Sequence, residues 1–546
     1  MAANNHNIAE VFRETAKRYG GWPGLAIRKT KGGYDEWTLG QLHGEASRFA
    51  AALRSEGIGP GDRVMLMVRP SLEFICLTFA LFQVGAVVIL IDPGMGYRNL
   101  LRCIASVRPR VLISIPAGQL FSRIFFRHFS TVETRICVGS SVFGLLGKPL
   151  KNMLAEHLGE KETSEIYRAG SEDLAAIIFT TGSTGPPKGV RYSHGNFRAQ
   201  LRLIHDYYGI RFGDVDQPCF PLFALFSAAL GAKTVIPEMD PARPAEVDPE
   251  KFIRTLVEQK VTYSFGSPTI WNVVSRYCVE QGITLPVKKI LMAGAPVSGE
   301  LIGRVKSIMA PGGEIHTPYG ATESLPVSSI EATEIISDTW PETVLGRGVC
   351  VGKPLPGIDL RVIVPSDEEI TTWSEVRETG VGEIGEIVVR GPVVTAAYDH
   401  NDRENRLAKI KDGESFFHRI GDMGYRDEQG RLWFCGRKAH RVFTTEAVLY
   451  TIPCEAIFNQ HVEVYRSALV GVGNPPNQKP VIIVEPYAKV TDTAALTGEL
   501  LQLAKANQLT ANIDTFLIHP SFPVDIRHNA KIFREKLAIW AEKELS

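Results

Sequence analysis

The feature of this sequence that most restricts its fold is a run of six apolar residues, Leu174 to Phe179, followed by Thr180-Thr181-Gly182-Ser183-Thr184-Gly185-Pro186-Pro187-Lys188-Gly189. The run reads as a buried strand, and Val190 restarts an extended segment after the loop. Such a loop is built to receive an anion. Glycines let backbone N–H groups turn toward a phosphate, the Thr and Ser hydroxyls add neutral donors, and Lys188 adds a positive charge. A surface linker has no need for four hydroxyls, three glycines and a lysine against a buried strand. The loop also departs from the common P-loop, because Pro187 precedes Lys188 and no Ser or Thr follows it. A different nucleotide fold is implied.

The flanking sequence supplies that fold. Residues 39–55 have helical apolar spacing, 63–68 read as a strand, 97–107 as a helix and 111–114 as a strand. Residues 74–91 are uncharged for 18 positions, the lower limit for a membrane span. Gln83 and Gly85 interrupt them, and 86–91 are β-branched, so the reading is a buried helix, a turn and a strand with no transmembrane segment. This α/β rhythm predicts parallel, doubly wound sheets. A second α/β run follows the loop, with helices over 249–259 and 301–309 and a strand over 262–265. From residue 352 short strands predict a small β subdomain. The domains expected are residues 1–436, a large N-terminal unit, and 437–546, a mobile α+β lid on a short hinge, with a terminal helix over 531–545.

Residues 119–129 are aromatic and basic, with Arg123 and Arg127 on one side of a helical wheel. The expectation is a helix docked on the protein's own core with its arginines in water. The alternative is a surface that meets lipid or a partner protein.

Ligands in open α/β sheets sit beyond the carboxyl ends of strands. Gly294-Ala295-Pro296 ends one strand, and Tyr319-Gly320-Ala321-Thr322-Glu323 follows another. Tyr319 offers a flat ring for a purine, Thr322 a hydroxyl and Glu323 a carboxylate. A carboxylate beside a triphosphate repels it unless a cation lies between, which makes Glu323 a candidate Mg²⁺ ligand. Asp422, in Gly421-Asp422-Met423-Gly424, suits the two hydroxyls of a ribose. The sixty basic and sixty acidic side chains cancel, so nothing favours nucleic acid as a partner. Eight cysteines without a C-x-x-C pair argue against zinc and a disulfide framework, and the start lacks a signal-peptide pattern. A cytoplasmic location is expected.

The phosphate loop, Tyr319 to Glu323, Gly421-Asp422 and the segment ending in Lys531 together resemble the adenylate-forming superfamily of acyl-CoA synthetases, adenylation domains and luciferases. The resemblance spans essentially the whole chain. It implies ATP and Mg²⁺ as cofactors and Lys188, Glu323 and Lys531 as catalytic residues. Thr180, Thr181, Gly182, Ser183, Thr184, Gly185, Gly294, Ala295, Pro296, Tyr319, Gly320, Thr322, Asp422 and Arg437 would bind the nucleotide, with Glu323 and Thr184 at the metal.

Within the superfamily, residues 221–226, 235–241, 432–442 and 525–531 are similar to olefin β-lactone synthetases. That likeness implies a long-chain 2-alkyl-3-hydroxy fatty acid substrate, a β-lactone product and a complex with other enzymes of the same pathway. Relatives that form thioesters carry an aspartate where this chain has Ala439, a Lys-x-x-Gly segment where it has Val442 to Glu446, and often a histidine where it has Ala224. A long-chain acyl-CoA ligase, an acyl-AMP ligase and a non-catalytic fatty-acid-binding or scaffold protein are the alternatives. His194 is a candidate base for the 3-hydroxyl, set against a neutral structural histidine, and residues 220–226 and 265–271 are the candidate acyl pocket.

Overall fold

Helix ends in this chain follow local chemistry. Thr38 caps the helix Leu39–Ser55 in a reciprocal box with Gln41. Ser71 caps Leu72–Val84, and Gly85, at φ 77°, ends it in a left-handed turn before the strand Val87–Leu90. That uncharged stretch is therefore helix, turn and strand, and no helix among the described residues is long and apolar enough to cross a membrane. The computed structural model describes residues 5–141, 144–157, 165–180, 186–525 and 531–546.

Two sheets of seven strands organise the first three hundred residues. One runs Lys148–Pro149, Thr134–Cys137, Val111–Ser114, Arg63–Met67, Val87–Leu90, Leu174–Phe179 and Gly189–Ser193, parallel except for the last pair. The other runs Glu314–His316, Lys289–Met292, Tyr263–Gly266, Val215–Asp216, Lys233–Ile236, Pro23–Arg28 and Tyr34–Thr38, again parallel except at its last pair. Apolar helices such as Leu72–Val84 and Phe223–Leu230 join one continuous core with both sheets. This is the doubly wound α/β arrangement the sequence predicts.

An eight-stranded antiparallel sheet follows, and it begins at Tyr319–Ala321 rather than near residue 352. Tyr319–Ala321 turns back at once to pair with Ser324–Ser329. The serines of the second strand hide its period, so the hairpin has no apolar alternation to betray it. Gly320 is required by this tight return, since a Cβ there would lie 2.3 Å from the Ser324 carbonyl oxygen.

After Arg437 come the pair Val442–Phe443 and Val448–Leu449 and the three-stranded sheet of Val464–Val472, Lys479–Pro486 and Thr515–Ile518. The last helix is Arg534–Leu545, so Lys531 stands three residues before it rather than at its start. The antiparallel bridge between Val524 and Ile532 keeps this backbone extended and delays the helix.

Residues 119–129 meet the expectation of a docked helix with solvated arginines, but not for every apolar side chain. A helix, Pro116–Ile124, and a 3-10 turn, Phe126–Phe129, form, and the arginines face water. Phe129 is buried and Phe121 half-buried, but Leu120, Ile124 and Phe126 are exposed, because the helix packs inward on Gly118, Gln119 and Ser122.

Candidate functional site

The stem of the candidate phosphate loop is closed by its own backbone. The strands Leu174–Phe179 and Gly189–Ser193 pair in register, Phe179 opposite Gly189. Beyond them the Thr180 amide donates to the Lys188 carbonyl at 3.0 Å, and the Lys188 amide donates to Thr180 Oγ1 at 3.0 Å. Thr181, Gly182, Ser183, Thr184 and Gly185 lie outside the described residues.

A segment without a sequence signal links the strand Gly189–Ser193 to Glu323. Tyr398 forms an antiparallel bridge with Val190, while the Arg191 amide donates to the Ala397 carbonyl at 3.0 Å and the Asp399 amide to the Gly189 carbonyl at 2.7 Å. Arg63 clamps the Asp399 carboxylate with two bonds of 2.8 and 2.9 Å. Tyr398 is thereby laid along the strand that follows the loop. Its hydroxyl donates to Glu323 Oε1 at 2.7 Å, and the Lys188 ammonium lies 5.0 Å from the centre of its ring. Lys188 also pairs with Glu404.

Glu323 is held from its backbone as well. Its carbonyl accepts from the Thr395 amide at 2.9 Å and the Thr395 hydroxyl at 3.1 Å. Lys409 donates to the Thr395 carbonyl and lies 4.7 Å from the Phe416 ring centre. Burial pulls its ammonium down to about 7, with the Glu323 charge opposing that fall. Thr322 enters through its carbonyl, which accepts from Tyr192. Neither Tyr398 nor Lys409 falls in a periodic stretch, so nothing in the sequence marked them.

A second part of the candidate site rests on a cross-strand pair. Asp422 and Arg437 face each other between the strands Ser415–Arg426 and Leu432–Arg437. Arg437 Nη1 donates to Asp422 Oδ1 at 2.6 Å, and the Tyr319 hydroxyl donates to Oδ2 at 2.6 Å. Each carboxylate oxygen has a second lone pair left for a ribose hydroxyl. The Tyr319 ring lies 5.9 Å from that of Phe434. Gly294, at φ 104°, and Pro296 are exposed just beyond the strand Lys289–Met292, and Ala295 is half-buried.

The Lys531 carbonyl accepts from the Asp525 amide at 2.9 Å, beside the bridge between Val524 and Ile532.

His194 is 1% exposed, both ring nitrogens are buried without a partner among the described residues, and burial lowers its pKa to about 4. It packs edge-on to Phe82 at 5.7 Å as a neutral structural ring. The candidate acyl segments do meet, since Phe223 stacks on Phe265 at 3.9 Å. Trp271, however, is fully buried against Phe252 in a separate core.

A Mg²⁺ ion fits this donor set in one way. Among the described residues no three His, Cys, Asp or Glu side chains gather to hold a metal by themselves. Magnesium, however, keeps water and substrate phosphates and takes one or two carboxylates, for which Glu323 suffices.

Residues 12–399 match the model of the AMP-binding enzyme family. An olefin β-lactone synthetase from Xanthomonas campestris pv. campestris is 43% identical over 517 residues, covering 92% of this chain and 90% of the relative. One from Stenotrophomonas maltophilia is 43% identical, covering 92% and 91%. A long-chain-fatty-acid–CoA ligase from Thermus thermophilus is 25% identical, covering 90% and 88%. In fold, the chain is similar to an amide bond synthetase from Marinactinospora thermotolerans, with a TM-score of 0.79 at 19% identity and coverage of 98% and 99%. It is also similar to the O-succinylbenzoate coenzyme A synthetase of Bacillus subtilis solved with ATP and magnesium, with a TM-score of 0.75 at 18% identity and coverage of 96% and 98%. With its strand-and-loop phosphate stem, its Asp422–Arg437 pair and this extent of similarity, the chain belongs to the AMP-binding enzyme family.

Proposed function

We propose that the protein adenylates a long-chain 2-alkyl-3-hydroxy fatty acid with ATP and then closes it to a β-lactone, releasing AMP and pyrophosphate. The observation that carries this reading is the 43% identity, over nine-tenths of both chains, to proteins named olefin β-lactone synthetases. The family's ATP chemistry needs charge control around a polyphosphate, and the Lys188, Tyr398 and Glu323 cluster supports that role.

In the first step the substrate carboxylate attacks the α-phosphorus, and the bond to pyrophosphate breaks. Lys188, with the hydroxyl loop of residues 180–185, holds the outer phosphates. Asp422, Arg437 and Tyr319 orient the nucleoside, with Gly320, Thr322 and residues 294–296 lining the purine side. Glu323, with Thr184, would hold Mg²⁺, which when bound offsets the charge of the β- and γ-phosphates. Residues 437–546 act as a lid that carries Lys531 to the α-phosphate, where it spreads the charge of the transition state. Gly436, at φ 127°, is the hinge, and a Cβ there would lie 2.3 Å from Thr451 Oγ1.

In the second step the substrate's own 3-hydroxyl oxygen attacks the acyl carbon, the bond from that carbon to the AMP oxygen breaks, and the hydroxyl proton passes to water or to the departing phosphate of AMP. Intramolecular attack is worth effective molarities of about 10⁵–10⁸ M, which must offset the strain of a four-membered ring and outrun water. The apolar segment around Phe223 and Phe265 suits a long acyl chain and a dry site. A cytoplasmic location, supported by eight buried free thiols, and assembly with enzymes that supply the hydroxy acid complete the proposal.

The test is to incubate the protein with MgATP and a 2-alkyl-3-hydroxy fatty acid, with and without CoA, and follow pyrophosphate and organic product together. A β-lactone formed without thiol is expected. Thioester formed only when CoA is present would make the protein an acyl-CoA ligase.

A further inference from the structure

The helix Pro116–Ile124 packs Phe121 against the core but also carries apolar residues on its outward face. Its buried positions include Gly118, Gln119 and Ser122. A Cβ on Gly118 would lie 2.9 Å from the Cβ of Ser114, so the helix backbone rests directly on the strand below. Gln119 Nε2 donates to the Ile136 carbonyl at 2.8 Å, and the Ser122 hydroxyl accepts from Arg135 at 2.6 Å. The outward face carries Leu120 and Ile124, one turn apart and 53% and 63% exposed, with Phe126 beyond them at 63%. A helix on a water-facing surface ordinarily keeps its outward face polar.

Two neighbours widen the face. The exposed Tyr97 lies 6.5 Å from Phe125, and the exposed Leu145 offers its carbonyl to the Arg123 guanidinium. Charge on this part of the chain has one sign. From residue 93 to 132 there is no Asp or Glu, while Arg98, Arg102, Arg108, Arg110, Arg123 and Arg127 are present in a chain of zero net charge. All of these but Arg110 are exposed. The Arg98 and Arg127 guanidinium groups lie 5.9 and 6.0 Å from the rings of Tyr97 and Phe126.

We propose that this face docks the protein on an anionic phospholipid bilayer. Arginines meet the phosphodiester head groups, and Leu120, Ile124, Phe126 and Leu145 reach the acyl boundary beneath them. Interfaces between proteins gather apolar residues at a centre and push charge to the rim. Here Leu120, Arg123, Ile124, Phe126 and Arg127 interleave along two turns, the pattern of a segment lying in a membrane surface. Because no helix among the described residues can cross a bilayer, the contact is peripheral. It stands independently of the β-lactone reading, although long-chain substrates partition into the same layer.

The experiment is sedimentation of the full-length protein with vesicles of phosphatidylglycerol and phosphatidylethanolamine, and with phosphatidylcholine vesicles, at low and high salt. The variants are Leu120→Ser/Ile124→Ser/Phe126→Ser and Arg123→Gln/Arg127→Gln, each checked for an unchanged thermal midpoint. Expected are binding to the anionic vesicles only, weakened by salt, and a loss of about tenfold or more in each variant. Absence of binding to anionic vesicles at low salt, equal binding to phosphatidylcholine, or variants that bind as the wild type does would overturn the proposal. Capture of an acidic protein by this face without affinity for the vesicles would overturn it as well.

Discussion

The Tyr398 hydroxyl donates to Glu323 Oε1 at 2.7 Å, joining two residues 75 positions apart. The same ring lies beneath the Lys188 ammonium, so one tyrosine contacts both the carboxylate and the cation that are proposed to face the polyphosphate. Tyr398 is itself fixed by backbone bonds to the strand Gly189–Ser193, which leaves its side chain little freedom.

Tyr398→Phe removes only that hydrogen bond. A bond to a charged group is worth about 1.5–3 kcal/mol, so pyrophosphate release should fall about 10- to 100-fold in kcat/KM. The Mg²⁺ concentration for half-maximal rate should rise with it, because Glu323 loses its orientation. Kinetics across a Mg²⁺ titration check this, and an unchanged Mg²⁺ dependence would remove Tyr398 from the site.

Asp422 accepts from Tyr319 on one oxygen and from Arg437 on the other, while only 4% exposed. Asp422→Asn weakens the acceptor presented to the ribose and leaves Arg437 without its counter-charge. The KM for ATP should rise about tenfold or more, with a smaller change in kcat, as expected when ground-state and transition-state binding are lost together. A variant that binds ATP as the wild type does would show that the pair is structural.

Much of this architecture was legible because local chemistry and global fold agree. The apolar run at Leu174–Phe179 marked the strand before the loop, and Gly85 marked the turn between the helix Leu72–Val84 and the strand Val87–Leu90. The hairpin at Tyr319–Ala321 was not legible, since its partner strand is rich in serine and buries that polar face. For the helix Pro116–Ile124, the wheel put the arginines in water but did not show that Leu120 and Ile124 would join them there. Their exposure was set by the close approach of Gly118 to Ser114 and by Arg135 reaching Ser122, contacts between distant parts of the chain. Tyr398 and Lys409 were missed for the same reason, as strand pairing brings them to Glu323 without periodicity.

Lys531 offers a separate test of the lid. Lys531→Ala should reduce pyrophosphate release by about 10²-fold or more while leaving the KM for ATP little changed, because the lysine is proposed to act on the charge of the transition state rather than on bound nucleotide. Release at the wild-type rate would exclude it from adenylation.

The last prediction concerns stability rather than catalysis. Asp216 is 1% exposed, and burial raises its pKa to about 8 against the hydrogen bonds of Ser227 and Tyr263 that favour its charged form. The Ser227 hydroxyl donates to Oδ2, and Oδ1 is buried without a partner among the described residues. The folded protein thus keeps a proton that the unfolded chain releases near pH 4. Between about pH 4 and pH 8 the native state binds more protons, so this group's contribution to stability is full below pH 4 and declines as pH rises to 8. Asp216→Asn presents a neutral side chain of the same shape and removes that decline. Its stability should match the wild type near pH 4 and exceed it at pH 8, by about 2–5 kcal/mol in unfolding free energy. Urea titrations at the two pH values decide it, and a constant difference between variant and wild type would mean that Asp216 is not the group that titrates.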